Sequence, residues 1–382
     1  MFSTEFCLTS PSERPSRPSA GTANTVRALL GWFDERERDV PWRGEKDPYR
    51  VWVAEVMAQQ TRVDTVASYY ARFVDRFPTP ATLADARLDD VLKVWEGLGY
   101  YARARHLHSA AREVVERHAG QLPRDVDALR ALSGIGPYTA GAVASIAFGI
   151  PEPAVDGNAR RVLSRLFDID TPTPARLDRV ARILLDAAPD RPAALNQAIM
   201  DLGGAVCTPR TPDCGSCPLR RECRALAAGT VAKRPPRKNR SPTPRRHAAS
   251  AIVWRRGRIL LVRRPDRGLL GGLWDFPGTE PRDAVVGPAT LVEHLARTFG
   301  VEVLLTNSGV TVPHTFSHFR LELTVRPARW ISGDPARATG AAGSVRAVWT
   351  TPEALSSFAV PTYLRSVVPD LDEASWPADE VS

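Results

Sequence analysis

The chain has 382 residues, 43% of them hydrophobic, and a formal net charge of +8. That supports two or three packed domains and no membrane protein, since no apolar run approaches the roughly 20 residues a spanning helix needs. Residues 1–7 carry an early acid and lack the basic-then-apolar pattern of a secretory signal, and the positive balance favours a polyanionic partner.

Residues 1–22, Ser/Pro-rich towards their end, read as a disordered tail. From 23 to 224 apolar residues recur at three- and four-residue spacing, which predicts an all-helical domain. Asp47-Pro48 has the form of a helix start, and the pattern after it predicts one helix over 48–77. Residues 225–247 read as a linker. From Arg224 to His247 there are eight Lys or Arg, four prolines and no acid, which suits a solvated spacer and a contact for DNA phosphates equally. Over 248–370 the character changes. Strands are predicted at 249–254 and 258–262, joined by Arg255-Arg256-Gly257, and at 310–312, 320–326 and 345–349, with a helix over 289–299. The expected architecture is therefore multidomain: an all-α domain, then an α+β domain, with a second tail over 371–382.

Four of the five cysteines, Cys207, Cys214, Cys217 and Cys223, fall within 17 residues in the spacing C-x6-C-x2-C-x5-C, while Cys7 stands alone. A disulfide framework would spread cysteines through a small secreted chain, so one tight group argues for a metal in a reducing compartment. Four thiolates that close can hold a tetrahedral zinc or a cubane iron–sulfur cluster. Zinc sites usually pair two C-x2-4-C knuckles across a longer loop, and only the middle pair here has that form. Arg210, Arg220, Arg221 and Arg224 beside the cysteines suit a loop held against a nucleic-acid backbone.

Gly134 and Gly136, in Leu132-Ser133-Gly134-Ile135-Gly136-Pro137-Tyr138-Thr139-Ala140, allow a tight turn into a helix whose free N–H groups can cradle a phosphate. An ordinary interhelical turn would look similar. Asp156, in Ala154-Val155-Asp156-Gly157-Asn158, could do no more than cap the next helix. Glu55 is the single acid of Val51-Trp52-Val53-Ala54-Glu55-Val56-Met57. Burial there would raise its pKa towards neutrality, as acid–base catalysis needs, but a structural ion pair with a buried arginine fits the pattern equally well.

Together, Pro41-Trp42-Arg43, the segment from Trp52 to Thr61, Gly97-Leu98-Gly99-Tyr100-Tyr101-Ala102-Arg103, the glycine hairpin, the Asp156 segment and the cysteine spacing resemble the MutY adenine DNA glycosylase family. One departure is Ala58, where that family usually has a bulkier apolar residue. The resemblance implies a helix-hairpin-helix core and a 4Fe–4S cluster on the four cysteines. It implies that Glu55 protonates the departing adenine and then activates water, and that Asp156 stabilises the oxocarbenium sugar. Two carboxylates across a glycosidic bond are glycosidase logic. It also implies that Trp42 and Arg43 lie near a flipped-out adenine, that Gln60 and Tyr100 wedge beside the lesion, and that Tyr138 and Asn158 belong to the active site. The sister endonuclease III family uses a lysine where Tyr138 stands. The four lysines here are Lys46, Lys93, Lys233 and Lys238, so none falls between Lys93 and Lys233. The expectation is a monofunctional enzyme that leaves an abasic site.

In the second domain, Leu273-Trp274-Asp275-Phe276-Pro277-Gly278 resembles the MutT or Nudix fold. Arg297 and Thr298 stand where paired metal-binding glutamates would be, so binding without hydrolysis is expected. Phe316-Ser317-His318 resembles the loop that contacts 8-oxoguanine in this family. The expected partner is double-stranded DNA with an A:8-oxoG or A:G mismatch. A monomer in a prokaryotic cytoplasm, associated with the nucleoid, is the remaining expectation. The competing readings are a glycosylase for T or U opposite G and a non-catalytic iron–sulfur DNA-binding or redox-sensing protein.

Overall fold

The computed structural model describes residues 19–367 except 37, 237–241, 307, 336–338, 341–342 and 345. Cys7, Lys238 and the expected tail at 371–382 lie outside the described residues. The chain divides into two compact units, Met1–Ala81 with Ser109–Lys238 and Thr82–His108 with Asn239–Ser382. No described helix is long and apolar enough to cross a membrane.

The helices are α1 (Ala20–Arg36), α2 (Pro48–Ala58), α3 (Val63–Arg76), α4 (Pro80–Asp85), α5 (Leu88–Trp95), α6 (Ala102–His118), α7 (Val126–Ala131), α8 (Pro137–Phe148), α9 (Gly157–Leu166), α10 (Pro174–Asp186), α11 (Pro192–Ala205) and α12 (Arg224–Ala227). Residues 20–22, expected in the tail, belong to α1. The Asp47 start is formed as its chemistry requires: Oδ1 accepts from Tyr49 N at 2.8 Å and Arg50 N at 3.2 Å, with Pro48 in the first turn. The single helix expected over 48–77 is instead two. Gln60 adopts a left-handed φ of 56°, which breaks the helical ladder between α2 and α3.

In the first unit α1, α9, α10 and α11 share one apolar core that includes Leu29, Phe33, Leu163, Leu184, Leu195 and Leu202. Burying each such side chain contributes about 1.5–3 kcal/mol. Helix α2 packs against α3 and α8. Two glycines allow close approach to the segment leading into α9. A Cβ on Gly141 would lie 1.9 Å from the Pro153 carbonyl oxygen, and one on Gly203 would lie 2.7 Å from Asn158 Cβ. Asn196 fixes the same segment: Nδ2 donates to Glu152 O and Ser145 Oγ, both at 2.9 Å, and Oδ1 accepts from Ala154 N at 3.2 Å.

The second unit contains β1 (Arg245–Arg255), β2 (Arg258–Arg263), β3 (Trp274–Asp275), α13 (Pro288–Phe299), β4 (Val301–Leu305), β5 (Val310–Thr315), β6 (Arg320–Gly333), β7 (Thr339–Gly340), β8 (Gly343–Ser344), β9 (Ala347–Thr350) and α14 (Thr362–Val367). Its main sheet runs β3-β2-β1-β6-β4, with β5 also on β6 and β9 on β2. Strands β1 and β6 are parallel, and the other pairs in this sheet are antiparallel. Period-2 alternation builds two cores. Ile252, Ile259 and Leu261 join α14 on one face, while Ala251, Val253, Leu260 and Val262 join α13 on the other. Val345 of the strand expected at 345–349 is outside the described residues, and strands β3 and β4 were not anticipated. Residues 82–108, expected with the helical domain, cluster with this unit. Glu96 accepts from Lys93 Nζ at 2.7 Å, Arg365 Nη2 at 2.6 Å and Val360 N at 3.2 Å, and Arg105 Nη1 donates to Gly271 O at 2.7 Å.

Candidate active site

Helical periodicity turns Glu55 inward from α2, and its side chain is only 8% exposed. Tyr138, in the first turn of α8, donates its hydroxyl proton to Glu55 Oε2. Burial raises the Glu55 carboxyl to about 7, against the opposing pull of the Tyr138 hydrogen bond, and the nearby Asp156 charge adds to the rise. Asp156 caps α9, accepting from Ala159 N at 2.7 Å. Burial raises its pKa as well, opposed by the Ala159 and Asn158 backbone N–H groups.

Glu55, Tyr138, Asp156, Asn158, Trp42 and Arg43 line one cavity of about 160 Å³. A groove of about 1150 Å³ shares Tyr138, Asp156 and Asn158 with it and extends past Gln60, Gly134, Gly136 and Arg160. The hairpin glycines and both carboxylates thus line two adjoining spaces, with Tyr138, Asp156 and Asn158 common to both. Gly134 takes a φ of 76°, and Gly136 caps α8.

Several residues of this wall were not anticipated. Arg43 Nη2 donates to Asp201 Oδ2 at 2.7 Å, and its other terminal nitrogen donates to Gln197. Asp201 and Gln197 line the cavity from α11. The available signal was Met200-Asp201-Leu202, an acid between apolar residues, the same cue that marked Glu55. Trp42 meets Tyr70 edge to face at 5.4 Å between ring centroids.

Cys207, Cys214, Cys217 and Cys223 line one small cavity of about 20 Å³. Among the described residues no group of three or more His, Cys, Asp or Glu is arranged to hold a metal ion. Arg165, 3% exposed, donates to Cys207 Sγ at 3.3 Å, Thr208 O at 2.8 Å and Arg234 O at 3.0 Å. Arg161, one turn earlier on α9, donates to Cys207 O and Gly203 O at 2.7 Å each and to Asn158 Oδ1 at 2.9 Å. The cysteine loop and the Asp156–Asn158 segment are therefore tied to one helix.

The remaining expected residues lie elsewhere. Gln60 is exposed in its left-handed turn. Within the second unit, Tyr100 is 48% exposed at a φ of 49°. Ser317 and His318 are exposed in the β5–β6 turn, whereas Phe316 packs partly into the α14-side core. Arg297 and Thr298 lie on α13, whose only acid is Glu293.

Residues 53–185 match the HhH-GPD superfamily base excision DNA repair proteins, and residues 248–369 match the NUDIX domain. The adenine DNA glycosylase of Homo sapiens is 37% identical over 403 residues, covering 89% of this chain and 72% of that protein. The adenine DNA glycosylase of Mycolicibacterium smegmatis is 42% identical over 215 residues, covering 54% and 72% respectively. A solved thermostable thymine-DNA glycosylase is 26% identical with a TM-score of 0.52, covering 56% of this chain and 100% of that one. A paired-carboxylate cavity on this helical scaffold defines a helix-hairpin-helix base excision DNA glycosylase. The second domain adds a NUDIX fold. The chain belongs to the MutY family of adenine DNA glycosylases.

Proposed function

We propose that this enzyme removes adenine opposite 8-oxoguanine or G in double-stranded DNA and stops at the abasic site. The observation that carries the chemistry is the single cavity holding Glu55, raised to about 7, together with Asp156. A protonated Glu55 donates to the leaving base, and Tyr138 holds the resulting carboxylate in place. Asp156 lies within the same cavity to stabilise positive charge on the sugar, and Glu55 then accepts the proton of the attacking water. The oxygens of Asp201 and Gln197 supply acceptors for an exocyclic amine, which adenine carries and thymine lacks. Trp42 and Arg43 complete the wall, and Asn158 orients the Asp156 segment. No lysine falls between Lys93 and Lys233 in the sequence, and Tyr138 stands where the sister family has its Schiff-base lysine.

Gly134 and Gly136 present backbone N–H groups to a phosphate, Gln60 and Tyr100 wedge into the duplex, and Phe316, Ser317 and His318 read the opposite base. With one acid on α13, the NUDIX-type domain binds without hydrolysing nucleotides. Four cysteines lining one cavity, in a spacing where only the middle pair has the form of a zinc knuckle, support a 4Fe–4S centre over a single zinc ion. Cys207, Cys214, Cys217 and Cys223 would hold it. When bound, such a cluster supplies a rigid cross-link of the loop, with no open coordination position for catalysis. The working unit is a monomer in a prokaryotic cytoplasm.

Single-turnover excision on A:8-oxoG, A:G and T:G duplexes tests the reading. The expected order is A:8-oxoG above A:G, with T:G uncut. Glu55→Gln loses at least about 10²-fold in rate, the scale of a general acid, with DNA binding nearly intact. Excision of T, or retained excision in Glu55→Gln, would refute it. Iron and sulfide analysis of the intact protein tests the cluster.

A further inference from the structure

The turn that carries Tyr100 is strained and heavily braced. Gly97, Gly99 and Tyr100 all have positive φ, at 96°, 78° and 49°. A side chain rarely adopts that conformation unless its surroundings impose it. Two buried side chains supply the constraint. Arg103 Nη2 donates to Gly99 O at 3.1 Å and Leu98 O at 3.4 Å, and Trp95 Nε1 donates to the same Gly99 O at 3.0 Å. The Arg103 guanidinium also lies 5.3 Å from the Trp95 ring centre and 5.5 Å from the Tyr100 ring centre. Trp95 is fully buried and Arg103 is 9% exposed, yet Tyr100 between them and solvent is 48% exposed. A buried cation is costly unless its donors are used. Here Nη2 is used on the turn itself.

We propose that Arg103, braced by Trp95, is a positioning residue that holds the Tyr100 ring outward, so that base extrusion depends on it although it touches no base. Cation–π attraction fixes the inner face of the ring, and Nη2, shared between the two carbonyls, fixes the backbone beneath it. This rests on the reading of Tyr100 as a wedge. Burial lowers the Arg103 pKa to about 10, which still leaves it charged at neutral pH.

The test uses the full chain and a duplex with 2-aminopurine opposite 8-oxoguanine. Fluorescence in a Glu55→Gln background reads extrusion without chemistry, single-turnover excision of adenine reads the reaction, and binding to a duplex already abasic at that position reads affinity when no base has to be extruded. Arg103→Gln is expected to lower extrusion and excision by about tenfold, equivalent to about 1.4 kcal/mol, and to leave abasic-duplex binding unchanged. Arg103→Lys, which keeps a cation but is shorter and lacks the planar guanidinium that stacks on the rings, should fall between. A merely structural role would weaken all three readouts together. If Tyr100→Ala leaves extrusion unchanged, the wedge reading fails. If Tyr100→Ala lowers it and Arg103→Gln does not, only the inference fails. Should Arg103→Gln not fold, Trp95→Phe removes one donor on Gly99 O while keeping a ring. The same selective loss is expected there, and its absence overturns the proposal.

Discussion

Glu55 takes its proton affinity from its neighbours. Val51, Ala58, Ile146 and Met200 line the same cavity with apolar surface, and desolvation disfavours the carboxylate. In the proposed role of general acid it works in the protonated form, so excision should fall above about pH 7, and it should fall again at acid pH as Asp156 is protonated. The Tyr138 hydrogen bond stabilises the ionised form. Tyr138→Phe therefore raises the Glu55 pKa further and moves the falling limb to higher pH. A pH–rate profile under single-turnover conditions checks this, and a limb shifted downward would contradict it. The same burial costs stability. An acid whose folded pKa lies above its unfolded value destabilises the protein as pH rises from about 4.5 through 7. Glu55→Gln should unfold at a higher temperature than the wild type at pH 8, with the gap narrowing towards pH 5.

Helices α9 and α11 deliver the second carboxylate. Asp156 is at once the cap of α9 and a wall of the cavity, so the hydrogen bond that starts the helix also fixes the carboxylate proposed to act on the sugar. Gly203 on α11 allows the close approach. Gly203→Ala would press a methyl group into Asn158, and overpacking of this kind costs about 1–3 kcal/mol. The expected outcome is a lower unfolding midpoint together with slower excision, because Asn158 and Asp156 share one short segment. Unchanged excision in a destabilised Gly203→Ala protein would show that this segment tolerates displacement. In the second unit the β5–β6 turn leaves Ser317 exposed while Phe316 is partly packed. Ser317→Ala is therefore expected to leave stability alone and to lower the A:8-oxoG over A:G preference. A good polar base contact is worth about 1–3 kcal/mol, which competition between the two duplexes would reveal.

The compact units do not follow chain order. Thr82–His108 joins α14 and the loop before it through Glu96, a nearly buried acceptor for Lys93, Arg365 and the Val360 backbone. Glu96→Ala leaves those donors without a carboxylate and should cost about 1–3 kcal/mol, read as a lower urea midpoint. A midpoint within error of the wild type would mean the ion pairs contribute little. A cut near residue 230 would remove the partners of this segment as well as the sheet. Point variants such as Ser317→Ala are accordingly the cleaner test of lesion reading.

Local chemistry was legible because it is written in neighbouring residues. The cap at Asp47, the hairpin glycines, the cysteine spacing, the alternation in β1 and β2 and the lone acid at Glu55 each follow from short-range pattern. The break at Gln60 was not, because its backbone conformation is set by the packing of α2 and α3 and no glycine or proline announces it. Nor were Asp201, Gln197, Arg161 and Arg165, whose roles exist only once α9, α11 and the cysteine loop meet. The sequence by itself determined two carboxylates, four clustered thiols and a core without a Schiff-base lysine. Only the tertiary structure decided that both carboxylates share one cavity, that burial carries Glu55 to about 7, and which side chains close the wall around them. Proton affinity and pocket shape are properties of the surroundings, and distant segments supply them.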